Sequence, residues 1–185
     1  MHNILTSSEI LHNGEGTTCV EDKDSEPCSL SFLVHFVGDS HQPLHVSYSS
    51  DRGGNEVKAD FFGYETNLHA VWDDSFIIKA WNNDYQQATS ALESMIQQEA
   101  QMVNNYVSIV DPVLWANESF SYVLQDVYTF TTNNGGKKLQ VEYFNINLEA
   151  DIGDEYYNAN LPIVQQRLIA AGVRLANLLN NLFGQ

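Results

Sequence analysis

The chain has 185 residues, of which 43% are hydrophobic and 17% are charged. This length and composition indicate one folded domain with a hydrophobic core and exclude a disordered chain. The 24 acidic and 8 basic residues give a formal net charge of −16, which disfavours a protein that coats duplex nucleic acid. A metal-centred hydrolase stays compatible with this charge, because a bound cation supplies positive charge locally. No apolar run reaches about 18 residues, so we expect no membrane partner.

Residues 1–28 show no sustained hydrophobic period and are predicted to form an irregular, acidic N-terminal segment. They lack the basic and apolar regions of a signal peptide. Cys19 and Cys28 do not have the spacing of a zinc site, and the sequence leaves open whether a local disulfide joins them. The sequon Asn117-Glu118-Ser119 is compatible with a secretory route.

From Ser29 onward the hydrophobic pattern changes and predicts one domain over residues 29–185. Its first helix should begin at an N-cap provided by Ser29 or Ser31 and should end or bend at Pro43. A turn follows at Gly53-Gly54-Asn55, and then a short β-hairpin with its bend near Gly63.

Four more helices are predicted after the hairpin. Thr66 or Asn67 should cap the second helix, and the third should follow Asp84 with one broad apolar face. Asp111 and Pro112 form a typical start for the fourth helix. The last helix should span about residues 154–182, after a turn at 133–136 and an extended segment at 139–144. The predicted fold class is mainly α, a single-domain helical bundle with a short β-hairpin.

Histidines are concentrated in one part of the chain. Four of the six fall within 35 residues, at positions 35, 41, 45 and 69. Two of them have an aspartate four residues later, a spacing that places both side chains on one face of a helix. Each pair alone is compatible with an intrahelical hydrogen bond, but two pairs with a further histidine after Pro43 predict a zinc site. The predicted ligands are His35, Asp39, His45, His69 and Asp73. His41 lies off the shared helical face and is excluded.

Two strings, HFVGDSHQPLH at residues 35–45 and NLHAVWD at residues 67–73, carry a family resemblance, together with the Gly-Gly-Asn turn. They closely resemble the class I nucleases, which are zinc-dependent, single-strand-specific nucleases and 3′-nucleotidases. Two weaker strings, WANES at 115–119 and RLAN at 174–177, are similar to later helices of that family. The resemblance covers the chain from about Ser29 to its end.

The resemblance implies a helical fold of the phospholipase C type that holds three zinc ions, one pair and one lone ion. By position, His45, His69 and Asp73 match the ligands of the lone zinc. His35 matches a ligand of the pair, and Asp39 matches the carboxylate that bridges the pair, so it is also the candidate catalytic residue. Asn55 resembles a position in the nucleobase pocket, and a residue that merely tolerates turn geometry is an equal alternative.

This sequence departs from the family pattern before His35. The family's N-terminal tryptophan, the histidine near it, and a later aspartate and histidine of the paired site have no match in the first 34 residues. We therefore expect a complete lone zinc site, half of the paired site, and a chain that is N-terminally truncated relative to the family.

The implied function is a zinc-dependent endonuclease and 3′-nucleotidase that cleaves single-stranded DNA and RNA to 5′-phosphate products. The truncation puts the activity of this chain alone in doubt. The alternatives are a non-catalytic zinc-binding remnant of the family and a zinc phospholipase C. We also expect a monomer that is secreted or resides in the secretory or lysosomal pathway.

Overall fold

A computed structural model describes residues 29–132 and 149–183 of the chain. Most of the described residues are helical, and the helices run in the order α1 (Ser29–His41), α2 (Leu68–Ala70), α3 (Phe76–Trp81), α4 (Tyr85–Gln98), α5 (Ala100–Ser108), α6 (Pro112–Tyr122) and α7 (Asp154–Phe183). π-Helical turns at Val71–Ser75 and Val123–Val127 join α2 to α3 and extend α6, respectively. Short 3₁₀ turns follow α1 at Pro43–Val46 and Ser49–Asp51. The mainly α fold class is therefore confirmed.

A small sheet lies between these helices. The predicted hairpin is formed by β1 (Lys58–Phe61) and β2 (Tyr64–Asn67), which pair in antiparallel fashion. Its two-residue loop has positive φ at both Phe62 and Gly63, the condition for the hairpin turn whose twist matches its strands.

Two further strands, β3 (Thr131–Thr132) and β4 (Glu149–Ile152), extend the sheet in the order β2-β1-β4-β3. β4 runs parallel to β1. The sequence did not predict these strands: β3 has only two residues, and β4 joins the sheet through a parallel contact with a segment that is distant in the chain. The turn predicted at 133–136, the extended segment at 139–144 and both cysteines lie outside the described residues.

Helix boundaries follow the local capping chemistry that the sequence indicated. The side chains of Asn67, Asp84 and Asp111 accept hydrogen bonds from backbone N–H groups at the starts of α2, α4 and α6, and α1 ends before Pro43. The predicted third helix is interrupted at Glu99, which has non-helical backbone angles. The interruption rotates α5 relative to α4, and only Ala88 is buried on these two helices.

Two hydrophobic clusters stabilise the molecule, and α7 contributes to both. The larger cluster packs the sheet against the α2–α3 segment and the first half of α7, with Phe76 and Ile152 fully buried. The smaller one packs α1 and α6 against the second half of α7 around Leu33, Val37 and Trp115. Each fully buried side chain of this size contributes about 1.5–3 kcal/mol. The helix α7 thus fixes α1 relative to the α2–α3 segment, and these two elements carry the predicted zinc ligands. Among the described helices, none has the length and apolarity needed to cross a membrane.

Candidate metal centre

The five predicted ligands form one continuous chain of side-chain contacts. His35 Nε2 lies 3.1 Å from Asp39 Oδ2, and Asp39 Oδ1 lies 3.2 Å from His45 Nδ1. His45 Nε2 then lies 3.1 Å from Asp73 Oδ1, and the other oxygen of Asp73 lies 3.1 Å from His69 Nε2. Residues separated by up to 38 positions are brought together where the end of α1 and its 3₁₀ turn meet the α2–α3 segment.

Three of these residues converge most closely. His45, His69 and Asp73 each offer one donor atom, and the three atoms lie within 4.8 Å of one another. The two imidazole rings are stacked, with centroids 5.0 Å apart. Ligand atoms at the usual zinc distance of about 2.0–2.2 Å in a tetrahedral site are separated by about 3.3 Å. His45 and His69 each lie 3.1 Å from a different oxygen of Asp73, and two imidazole nitrogens with a carboxylate are a donor set that suits zinc.

The orientation of His69 is set by the glycine turn. Its Nδ1–H donates to the carbonyl oxygen of Gly53 at 2.8 Å, and this contact directs Nε2 toward Asp73. The backbone N–H of His69 also donates to Gly54 O. Backbone carbonyls commonly fix the tautomer of a metal-binding histidine in this way. The turn was predicted from the sequence, but this role was not; the double glycine was the available signal.

Gln42 is a second residue that sequence reasoning missed. Its Nε2 donates to Asp73 Oδ1 at 2.7 Å, while its Oε1 accepts from the N–H of Leu44 and caps the 3₁₀ turn. One side chain thus joins the turn that carries His45 to the carboxylate of Asp73. Its place immediately before a proline, a frequent position for a cap, was the signal in the sequence.

The contact between His45 and Asp73 favours a positive charge on the imidazole and a negative charge on the carboxylate. The pKa of His45 is raised, chiefly by its hydrogen bond to Asp73, against the opposing effect of burial. Burial alone would raise the pKa of Asp73, but the hydrogen bonds from His45 and Gln42 outweigh it and the pKa is lowered. A metal ion at this position would compete with protons for the ring nitrogens of His45.

A cleft of about 240 Å³ opens over Asp39, His45 and Asp73. Its opposite wall comes from α7, where Val164 and Leu168 contribute apolar surface. A molecule bound at these side chains would therefore lie beside an apolar wall able to cover its less polar parts.

The two remaining positions considered in the sequence are not part of the group of three donors. His41 is a buried residue of the cleft wall, with hydrogen bonds on both ring nitrogens, and burial together with Arg167 lowers its pKa to about 3. Asn55 is exposed, and its Nδ2 donates to Arg52 O within the same turn. It is not among the residues that line the cleft, so its role in binding a nucleobase stays a prediction.

The chain is similar to known proteins over nearly its whole length. A family model described as S1/P1 Nuclease matches residues 4–184. Endonuclease 2 of Arabidopsis thaliana is 38% identical over 157 residues, which are 84% of this chain and 52% of the relative. Endonuclease 1 of the same plant is 31% identical over 182 residues, 96% of this chain and 56% of the relative. Nuclease S1 of Aspergillus oryzae is 29% identical over 171 residues, which are 85% of this chain and 55% of the relative. The chain spans about half the length of these relatives.

Proposed function

Because the chain belongs to the S1/P1 nuclease family, we propose that it binds zinc through His45, His69 and Asp73 and hydrolyses phosphate esters of single-stranded DNA and RNA, with 3′-nucleotides as further substrates. The observation that carries the proposal is the convergence of these three donor atoms within 4.8 Å, beside a cleft that His45 and Asp73 line. The match of the chain to a nuclease family supports the class of substrate.

The proposed roles follow from the positions of the side chains. His45, His69 and Asp73 hold the ion, and the carbonyl of Gly53 keeps His69 Nε2 directed at it. Asp39, flanked by the imidazoles of His35 and His45, is the proposed catalytic carboxylate and, with His35, a ligand to further zinc. When bound, zinc supplies the positive charge that stabilises a phosphate ester during hydrolysis. Asn55 is proposed to contact the nucleobase.

A protein that binds zinc without turnover is the second candidate. Across residues 29–132 and 149–183, the His45, His69 and Asp73 group is the one set of three donors close enough for a metal ion. A single ion supports binding, whereas the resemblance implies a second, paired site for hydrolysis. Secretion and a monomeric state also stay predictions; gel filtration tests the latter.

The two candidates are separated by counting zinc and measuring turnover on the same protein. The full chain is loaded with zinc, the metal per chain is determined by atomic emission, and hydrolysis of single-stranded DNA and a 3′-mononucleotide is assayed. Zinc together with turnover supports the nuclease. Zinc without turnover supports the binding protein, and no bound zinc contradicts both.

Two neighbouring aspartates provide a matched pair of variants. Asp73 contacts both imidazoles, whereas Asp74 is exposed and accepts from Ser75 Oγ. Asp73→Asn should lose zinc and activity together, while Asp74→Asn should keep both. Equal losses in the two variants would mean that the ligand assignment is wrong. His41→Ala is a poor control, because His41 belongs to a buried hydrogen-bond network.

A further inference from the structure

Two buried arginines of α7 meet one glutamate of α6 near the candidate metal centre, and one of them, Arg167, is among the residues that line its cleft. Arg174 donates through Nη1 and Nη2 to the two oxygens of Glu118 at 2.7 and 2.8 Å, and Arg167 Nη1 donates to the same carboxylate at 2.9 Å. The side chain of Arg174 is only 1% exposed and that of Arg167 only 5%. We call Glu118, Arg167 and Arg174 the arginine clamp. The arginine clamp has no role in the function proposed above.

The clamp reaches the C-terminal end of α1. Arg167 Nε donates to the carbonyl oxygen of His41 at 3.2 Å, and Arg167 Nη2 donates to Ser119 Oγ at 3.0 Å. Ser119 Oγ in turn donates to the carbonyl oxygen of Ser40 at 2.8 Å. The last carbonyls of a helix have no partner within the helix and need one from elsewhere. At the end of α1 that partner comes from other helices, so the position of the end depends on them.

The end of α1 is also where the metal centre takes two of its residues. Asp39 lies one residue before Ser40, and Gln42, which follows His41, accepts the backbone N–H of His45 at 3.1 Å. Movement at the carbonyls of Ser40 and His41 would therefore shift Asp39 and His45 together. His69 and Asp73 come from a different segment and would not move with them.

We propose that Arg167 is a positioning residue for the metal centre, which holds the end of α1 so that His45 meets His69 and Asp73. This inference rests on the proposed zinc binding. Arg167 touches no ligand directly; its guanidinium acts through the carbonyl of His41 and through Ser119. Loss of its donors should weaken zinc binding by about tenfold or more, as is typical when the groups that orient metal ligands are removed.

The test compares the zinc affinity of two kinds of variant. One kind removes a contact to the end of α1, and the other lowers stability without touching that end. Arg167→Met keeps most of the aliphatic stem and leaves the Glu118–Arg174 contact in place. Ile152→Ala, a fully buried position in β4 outside the cleft lining, is the stability control. Ser119→Ala is a milder second variant that removes the donor to Ser40 O. The dissociation constant of zinc is measured on the folded proteins by competition with a chelating dye.

We expect about a tenfold or greater loss of zinc affinity in Arg167→Met, a several-fold loss in Ser119→Ala, and a change below twofold in Ile152→Ala even though it unfolds at lower temperature. If Arg167→Met does not fold, Ser119→Ala decides alone. Wild-type affinity in the folded Arg167 and Ser119 variants, or an equal loss in Ile152→Ala, would overturn the inference and leave the proposed function intact. A wild-type chain that binds no zinc would overturn the proposed function, and the inference with it.

Discussion

Single contacts decide which residues of this sequence serve the metal centre. Asp73 and Asp74 share one π-helical turn, yet only the first contacts the imidazoles of His45 and His69. The spacing of four residues predicted that the side chains of His69 and Asp73 lie together, as they do; their role as metal ligands stays a prediction. Spacing could not identify Gln42 or Gly53, because both act through contacts with residues that are distant in sequence.

Gln42→Ala should weaken zinc binding while the fold is retained. The variant loses the donor to Asp73 Oδ1 and the cap of the 3₁₀ turn, so the carboxylate is held less firmly in the orientation that zinc requires. We expect about a tenfold increase in the dissociation constant, measured by chelator competition. The control is Asn55→Ala, which loses only a contact within its own turn. The same zinc affinity in both variants would contradict a role for Gln42 in orienting Asp73.

Gly53→Ala should destabilise the protein more than Gly63→Ala does. Both glycines have positive φ, 63° and 85°, so both variants carry a backbone cost of about 1–2 kcal/mol. A Cβ at Gly53 would also clash with the carbonyl oxygen of Leu44, whereas Gly63 has open space around it. We expect a loss of about 3 kcal/mol for Gly53→Ala and about 1 kcal/mol for Gly63→Ala, determined by urea unfolding. Zinc affinity should fall only in the former, because Gly53 O orients His69.

Among the elements, those with strong local chemistry were the ones that could be predicted. Asn67, Asp84 and Asp111 marked three helix starts, and Gly63 marked the bend of the hairpin. The short strand β4 was missed, because its place beside β1 depends on a parallel contact between segments about 90 residues apart. The break at Glu99 was missed for a similar reason: the apolar period continues across it in the sequence.

The contact between α6 and α7 through the arginine clamp was also not predicted from the sequence. In the string Trp115-Ala-Asn-Glu-Ser119 the sequon had suggested a secretory route. In the fold its Ser119 is fully buried and hydrogen-bonded to α1, and Glu118 joins the clamp. These two residues therefore have structural roles that hold whether or not Asn117 is modified.

Glu118→Gln should lower the free energy of unfolding at neutral pH. It should also make that free energy depend less on pH in the acidic range. Burial would raise the pKa of Glu118, but the hydrogen bonds from Arg174 and Arg167 outweigh it and the pKa is lowered. A lowered pKa means that the carboxylate stabilises the fold above its unfolded pKa of about 4.3 and that this contribution is lost as the pH falls through the folded pKa. Removing the charge leaves two buried guanidinium groups unpaired, which costs about 3 kcal/mol.

The check is urea unfolding of wild type and Glu118→Gln at pH 7 and at several values below pH 5. The difference in free energy of unfolding should be largest at pH 7 and should shrink as the pH falls. A constant difference over this range would mean that the charge of Glu118 does not stabilise the contact between α6 and α7.

At the scale of the whole molecule, the metal centre joins two segments that the long helix α7 holds side by side. The end of α1 packs on the second half of α7, whereas the α2–α3 segment belongs to the cluster around the sheet. Asp39 and Asp73 place two of the chain's carboxylates at this junction, and the chain as a whole carries a net charge of −16. A bound divalent cation offsets part of that repulsion locally. Zinc bound as proposed should therefore link the turn after α1, which carries His45, to the α2–α3 segment.

The consequence is a metal-dependent stability that a single substitution should remove. A ligand that binds only the folded state at 100 times its dissociation constant adds about 2.7 kcal/mol to the free energy of unfolding, or about 5–10 °C in Tm for a domain of this size. We expect calorimetry to show that shift between chelator-treated and zinc-saturated wild type. Asp74→Asn should keep it, and Asp73→Asn should lose it, because only Asp73 connects His45 to His69. A shift of equal size in Asp73→Asn would place the stabilising ion elsewhere in the chain and contradict a link at this junction.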